Sequence, residues 1–306
     1  MKPDSRFRVT REELSSVPTS WPAFRGLPRT EASRKAARAI VMPVTWAPDS
    51  SRRARIGPRA LLEVSNWIGG YEEESGLDPS SRGIYTISPI QAERHEVMQR
   101  EVYAYVDRTH TTGRFPVIIG ADRLAGLGAV EALHRRGCRF GVLQIDAHRH
   151  LQNEGETFGA VSNWFTRSVR TMGVPTVLAG IRGMSESEFR SLLSERIPFM
   201  TARGLAAMDP VRAAFELGRH FAGDVYISVD FSALDPLQFP AVEQPVAFGL
   251  SMDFLGNILT SFAGTKRILG IDFCGLAPIP GNPAYESVAA ALVNRTLAAL
   301  AKANAF

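Results

Sequence analysis

Long apolar runs are missing from this chain of 306 residues. No stretch approaches the roughly 18 consecutive apolar residues that a membrane-crossing helix requires, and the polar N-terminus lacks the apolar core of a secretory leader. A cytoplasmic protein without a membrane partner is therefore expected. Cysteine is scarce: Cys138 and Cys274 are the only two, too few for a disulfide framework or a zinc ribbon and consistent with a reducing compartment. Lysine occurs only at Lys2, Lys35, Lys266 and Lys302, so arginine carries the basic charge. The net charge is only +4. The basic residues are scattered, with no stripe interleaved with aromatics, and a nucleic-acid partner is not expected. No internal repeat or interdomain linker is present.

With 45% hydrophobic and 22% charged residues the composition is that of an ordinary globular protein. Near-continuous apolar stretches at residues 37–46, 84–90, 116–120, 140–146, 176–181, 198–201, 225–230 and 267–273 read as about eight strands. Helical segments are expected at 57–67, 91–109, 124–136, from near 162, 186–195, 210–221, 252–262 and 283–301. Pro58 stands at a tolerated first-turn position. Strict alternation of buried strand and helix predicts an α/β fold, three layers with a mostly parallel sheet covered on both faces. Residues 1–36, rich in Pro, Ser and Arg, are expected to form an arm, pinned by Trp21 and Phe24 to the body or to a neighbouring subunit. Residues 37–306 form one domain in this reading.

Three strands end in polar groups. V-L-Q-I-D-A-H-R-H-L-Q stops at Asp146, His148 and His150. In an extended segment side chains two apart face the same way, so these three would point together. A metal cradle and a set of loop-capping polar groups account for this segment equally well. F-P-V-I-I-G-A-D-R ends in Asp122 and Arg123, and D-V-Y-I-S-V-D-F-S-A-L-D-P carries Ser228, Asp230, Ser232 and Asp235. If these strands are parallel neighbours, their carboxyl ends share one edge of the sheet, where open α/β sheets bind ligands. The acidic run Glu72 to Glu74 reads as a solvated loop.

The ordered motifs G-A-D-R, D-A-H-R-H and S-V-D-F-S-A-L-D-P resemble the ureohydrolase family of arginases, agmatinases and formimidoylglutamases, whose patterns are G-G-D-H, D-A-H-x-D and S-x-D-x-D-x-x-D-P. The resemblance runs from about residue 37 to 300. It implies an arginase-like fold and a centre in which two manganese ions, held by four carboxylates and two histidines, activate a bridging hydroxide against a guanidinium carbon. Asp146, His148 and Asp230 match ligands of that centre. Arg123 replaces a ligand histidine, and His150 and Ser232 each replace a ligand aspartate. An arginine offers only donors and does not lose its proton, so Arg123 cannot coordinate a metal.

One divalent ion or none is therefore expected, with the Arg123 guanidinium bridging Asp146 or Asp230 in place of the other. The remainder also resembles the single zinc site of the fold-related deacetylases. With His150 turned inward, Mn, Zn, Fe or Ni is expected to suit it. The resemblance places Asp122, Ser228, Ser232 and Asp235 around the ligands, and Gln152, Phe158 and Gly275 on the substrate side. Gly275 stands where arginases carry a guanidinium-gripping glutamate. Two functions follow as expectations. The first is a divergent metal-dependent C–N hydrolase of a small molecule other than a simple guanidinium cation, using His150 and Arg123 in catalysis. The second is a non-catalytic relative without metal. A homo-oligomer is compatible with either.

Overall fold

The computed structural model describes residues 21–151 and 164–306. Eight strands, β1 (Ala39–Val44), β2 (Ile84–Thr86), β3 (Phe115–Gly120), β4 (Phe140–Ile145), β5 (Thr176–Ile181), β6 (Phe199–Thr201), β7 (Asp224–Asp230) and β8 (Ile268–Cys274), form one sheet. Its order is β2-β1-β3-β8-β7-β4-β5-β6, and every pairing is parallel. Strands β3, β4 and β8 are buried along their whole length, and β7 everywhere but at its two ends. Period-two alternation sends Val117, Ile119, Leu143 and Ile145 into one core and Ile118 and Val142 into the other.

The first face is covered by α2 (Gly57–Val64), α8 (Pro210–Gly218), α9 (Met252–Thr265) and α10 (Ala284–Lys302). The second is covered by α3 (His95–Thr111), α4 (Leu124–Arg135) and α5 (Phe165–Thr171). Helix α3 inserts Met98, Val102 and Val106, spaced one turn apart. It approaches α4 so closely that a Cβ at Gly128 would meet the Gln99 carbonyl oxygen at 2.5 Å. Helix α6 (Glu186–Ser194) opens with a capping box between Ser185 and Glu188, and buries Leu192 against Leu178 and Ile181 of β5.

Several expectations are corrected. Strand β8 lies between β3 and β7, so the three motif-bearing strands are not all direct neighbours, and a fourth strand end enters the crevice. Strand β2 stops at Thr86 rather than 90. Residues 21–36 are held against the body by Phe24, with Trp21 packed on the same core. Phe24 sits in a 3-10 turn, Phe24–Gly26, and is fully buried in the main core; α1 (Glu31–Ala36) follows, closed by a Thr30–Ser33 capping box. The short α7 (Ala202–Ala206) is another element without a period long enough to read. The start near 162 expected for a helix lies outside the described residues.

The segment around Phe24 is locked by Arg25, whose Nη1 and Nη2 donate to the two oxygens of Asp78 at 2.6 and 3.0 Å. Hydrogen bonding from Arg25 lowers the Asp78 pKa from its ordinary 3.8 to about 2. Because the folded value is depressed, this stabilisation is complete above 3.8 and is lost as the pH falls through about 2. Asp78→Asn is expected to cost about 1 kcal/mol at neutral pH, discounted because the pair is partly exposed. Urea unfolding checks this: the difference from the parent should vanish below pH 2, and an equal difference at both pH values would contradict the assignment.

Candidate functional site

Register places the polar side chains in rows. Gln144, Ser228 and Asp272 lie side by side across β4, β7 and β8. One row nearer the carboxyl edge, Asp230 pairs with Cys274, and Asp146 follows directly on the end of β4. All these side chains share the face covered by α4 and α5, because the positions differ by two. No motif marks Asp272 and Cys274, which stand within a fully buried strand and read as ordinary strand residues.

Arg123 stands at the N-cap position of α4 and is 1% exposed. Its Nη2 is 2.6 Å from Oδ2 of Asp146 and 3.3 Å from Oδ2 of Asp230. These are ionic contacts without hydrogen-bond alignment, since neither Nε nor Nη2 has a hydrogen-bond partner. Nη1 donates to Ser228 Oγ at 2.8 Å, and that hydroxyl donates onward to Asp272 Oδ1 at 2.9 Å. The guanidinium carbon lies 5.5 Å from the centre of the Phe165 ring. Burial works against the charge of Arg123, but Asp146, Cys274, Asp230 and Asp272 outweigh it and raise its pKa. For Asp272, burial prevails over the pull of Arg123 and lifts the pKa to about 7.

Asp146 is fully buried and accepts from four directions. Oδ1 takes the His148 backbone N–H at 2.8 Å and the Ser232 hydroxyl at 3.0 Å. Oδ2 faces His150 Nε2 at 2.8 Å and the Gln144 amide at 3.3 Å. Burial opposes its ionisation, yet Arg123, His150 and His148 hold the carboxyl well below its ordinary range. The His148 pKa is raised, since bonding to Asp146 overrides burial. The extended-strand expectation for 146–150 is corrected: β4 ends at Ile145, and His150 adopts φ +49°. A turn, rather than strand alternation, brings Asp146, His148 and His150 together, with candidate ligand atoms all within 4.8 Å of one another.

A cavity of about 70 Å³ opens over Arg123, His148, His150, Asp230 and Ser232. Asp122 borders it and uses Oδ1 to accept the Leu124 N–H at the start of α4. Asp235 stands elsewhere, accepting the Leu237 and Gly249 N–H groups within its loop. Gly275 has φ +83°, and a Cβ there would lie 2.5 Å from Oδ1 of Asp230, so only a glycine fits against that carboxylate. Glu243, which the motifs did not flag, also lines the cavity. Gln152 and Phe158 lie outside the described residues. Glu72 accepts the Ser75 N–H and Glu74 pairs with Arg295, both away from this cavity.

Removing the guanidinium would leave Asp146 and Asp230 without their shared counter-charge. Arg123→Met is expected to lower stability by about 3–5 kcal/mol, measured by urea unfolding at neutral pH. A loss below about 1 kcal/mol, the range of surface pairs, would show that the contacts carry little.

The arginase family model matches residues 36–299. The N(1)-aminopropylagmatine ureohydrolase of Thermus thermophilus is 30% identical over 272 residues, covering 84% of this chain and 88% of that protein. The N(1)-aminopropylagmatine ureohydrolase of Synechocystis is 29% identical over 273 residues, covering 85% and 88%. Among solved structures, the agmatine ureohydrolase of Thermoplasma volcanium superposes with a TM-score of 0.78 at 21% identity, covering 90% of this chain and 95% of that one. With the family model covering residues 36–299, the chain belongs to the arginase family.

Proposed function

We propose that this protein is a metal-dependent hydrolase of a non-peptide C–N bond in a small molecule, working with a single divalent ion. The observation that carries the proposal is the position of Arg123 Nη2 against Asp146 Oδ2 and Asp230 Oδ2, at 2.6 and 3.3 Å. A second ion between those carboxylates would meet a fixed positive charge at contact distance. The other side of Asp146 suits one cation, because Asp146, His148 and His150 present clustered donor atoms and the buried Nδ1 of His150 has no hydrogen-bond partner. Asp230, expected as a further ligand, stands outside that cluster and beside Arg123 instead.

An ion of the Mn, Zn, Fe or Ni kind would supply Lewis acidity, making water a nucleophile near neutral pH. The chain's own groups do the rest. His150 takes up and returns a proton when it is not itself engaged as a ligand. Arg123 favours negative charge developing beside it, and Ser232 fixes the orientation of Asp146 through its hydroxyl. The proposal includes a cytoplasmic setting, in keeping with the two unpaired cysteines.

A second reading is favoured by the same ion pairs: Arg123 neutralises the old centre, no metal binds, and the protein is a ligand-binding or partner subunit. Metal analysis of protein purified without chelator separates the two. About one equivalent of transition metal per chain, abolished by His148→Ala, is expected for the hydrolase; none supports the second reading. Turnover of arginine and agmatine with added manganese is expected to be negligible. Rates of an ordinary arginase or agmatinase would contradict the proposed non-standard centre.

A further inference from the structure

The cavity that Arg123 borders carries a further carboxylate. Glu243 faces a space bordered by Asp230, Gly275 and His150, and its side chain is only 18% exposed. Its Oε1 accepts the Ala54 N–H at 3.1 Å. Its Oε2 is held by Nε and Nη2 of Arg53 at 3.2 and 3.0 Å. Arg53 comes from the 3-10 turn Arg53–Ile56, is 47% exposed, and makes one further bond, to the Val242 carbonyl oxygen, at 3.3 Å. A guanidinium of the chain itself thus rests on the carboxylate at the mouth of the candidate site.

We infer that Glu243 is the cation-recognition residue of this site, taking an amino or guanidino group of the substrate, and that Arg53 is an exchangeable plug occupying its place. The inference rests on the proposed reaction only for the location of the site. Three observations converge. Gly275 leaves no room for an acid just past the end of β8, because any side chain there would strike Asp230. Glu243 supplies a carboxylate at the same cavity, and its geometry toward a guanidinium is displayed by Arg53 itself. The unpartnered buried Nδ1 of His150 adds a second polar atom awaiting a ligand at this cavity.

The ion pair with Arg53 is weak enough to exchange, since half of the arginine is in water and water screens such pairs. An entering cation would keep the Glu243 charge neutralised while Arg53 swings into solvent. The charge at this cavity is set by Glu243 as well as by Arg123. Arg123 is already matched by Asp146 and Asp230, so it does not oppose a cation seated on Glu243.

The test titrates methylguanidinium and, separately, propylammonium into the full chain without added metal, following amide chemical shifts. Saturable binding is expected, with shifts in residues around Glu243 and His148. Glu243→Gln should weaken it by about tenfold or more, the loss typical of a hydrogen bond to a charged group. Arg53→Ala should tighten it by about threefold or more, because the competent state no longer has to be released from the plug. Absent binding to the parent, unchanged affinity in Glu243→Gln, or unchanged or weakened affinity in Arg53→Ala would each overturn the inference; the last is the result for a mere loop clamp. If Glu243→Gln does not fold, the sign of the Arg53→Ala effect decides alone. Probe binding requires no metal, so failure of the single-ion reading leaves this result interpretable.

Discussion

The ion pair between Arg123 and Asp146 is the constraint from which the rest of the site follows. Moving a guanidinium and a carboxylate out of water costs several kcal/mol per ion, recovered only when geometry and added hydrogen bonds are good. Here the recovery is distributed. Asp146 and Asp230 contact one terminal nitrogen, Ser228 relays the other to Asp272, and Phe165 covers the guanidinium carbon. Loss of any one partner shifts load onto the others, so the group behaves as a network in which single deletions do not add.

That network ties four strand ends together. Arg123 comes from the turn after β3, Asp146 from the end of β4, Asp230 and Ser228 from β7, and Asp272 from β8. These are the four adjacent central strands in the order β3-β8-β7-β4. A parallel sheet delivers all its carboxyl ends to one edge, and identical register across β4, β7 and β8 turns separate sequence positions into a contiguous polar row. The fold makes the crevice; the residues there decide what it can hold. Arginase-family membership thus gives the frame, while what the edge can hold is decided by the residues at the strand ends.

Much of the frame was legible because strand and helix alternate with clear boundaries, and fully buried strands leave an apolar signature. The convergence of Arg123 with Asp146 and Asp230 could be expected from three polar-ended strands. What stayed hidden was set by long-range pairing or by local turns. Nothing in the sequence says that β8 inserts between β3 and β7, so Asp272 and Cys274 looked like ordinary strand residues. His150 reaches Asp146 through a left-handed backbone position that no period predicts. Phe24 could be read as an anchor inside a Pro- and Arg-rich stretch, but its full burial in the main core is set by packing. Glu243 belongs to no motif. It matters because the loop that carries it folds back over the cavity and meets Ala54 and Arg53 from a segment nearly two hundred residues earlier.

The central claim is that a guanidinium permanently occupies one of two cation positions, and anomalous diffraction from crystals grown with excess manganese tests it directly. The account predicts no more than one anomalous peak, on the His148 side of Asp146, with Arg123 still against Asp146 and Asp230. Two peaks between those carboxylates, with Arg123 displaced from the crevice, would contradict it.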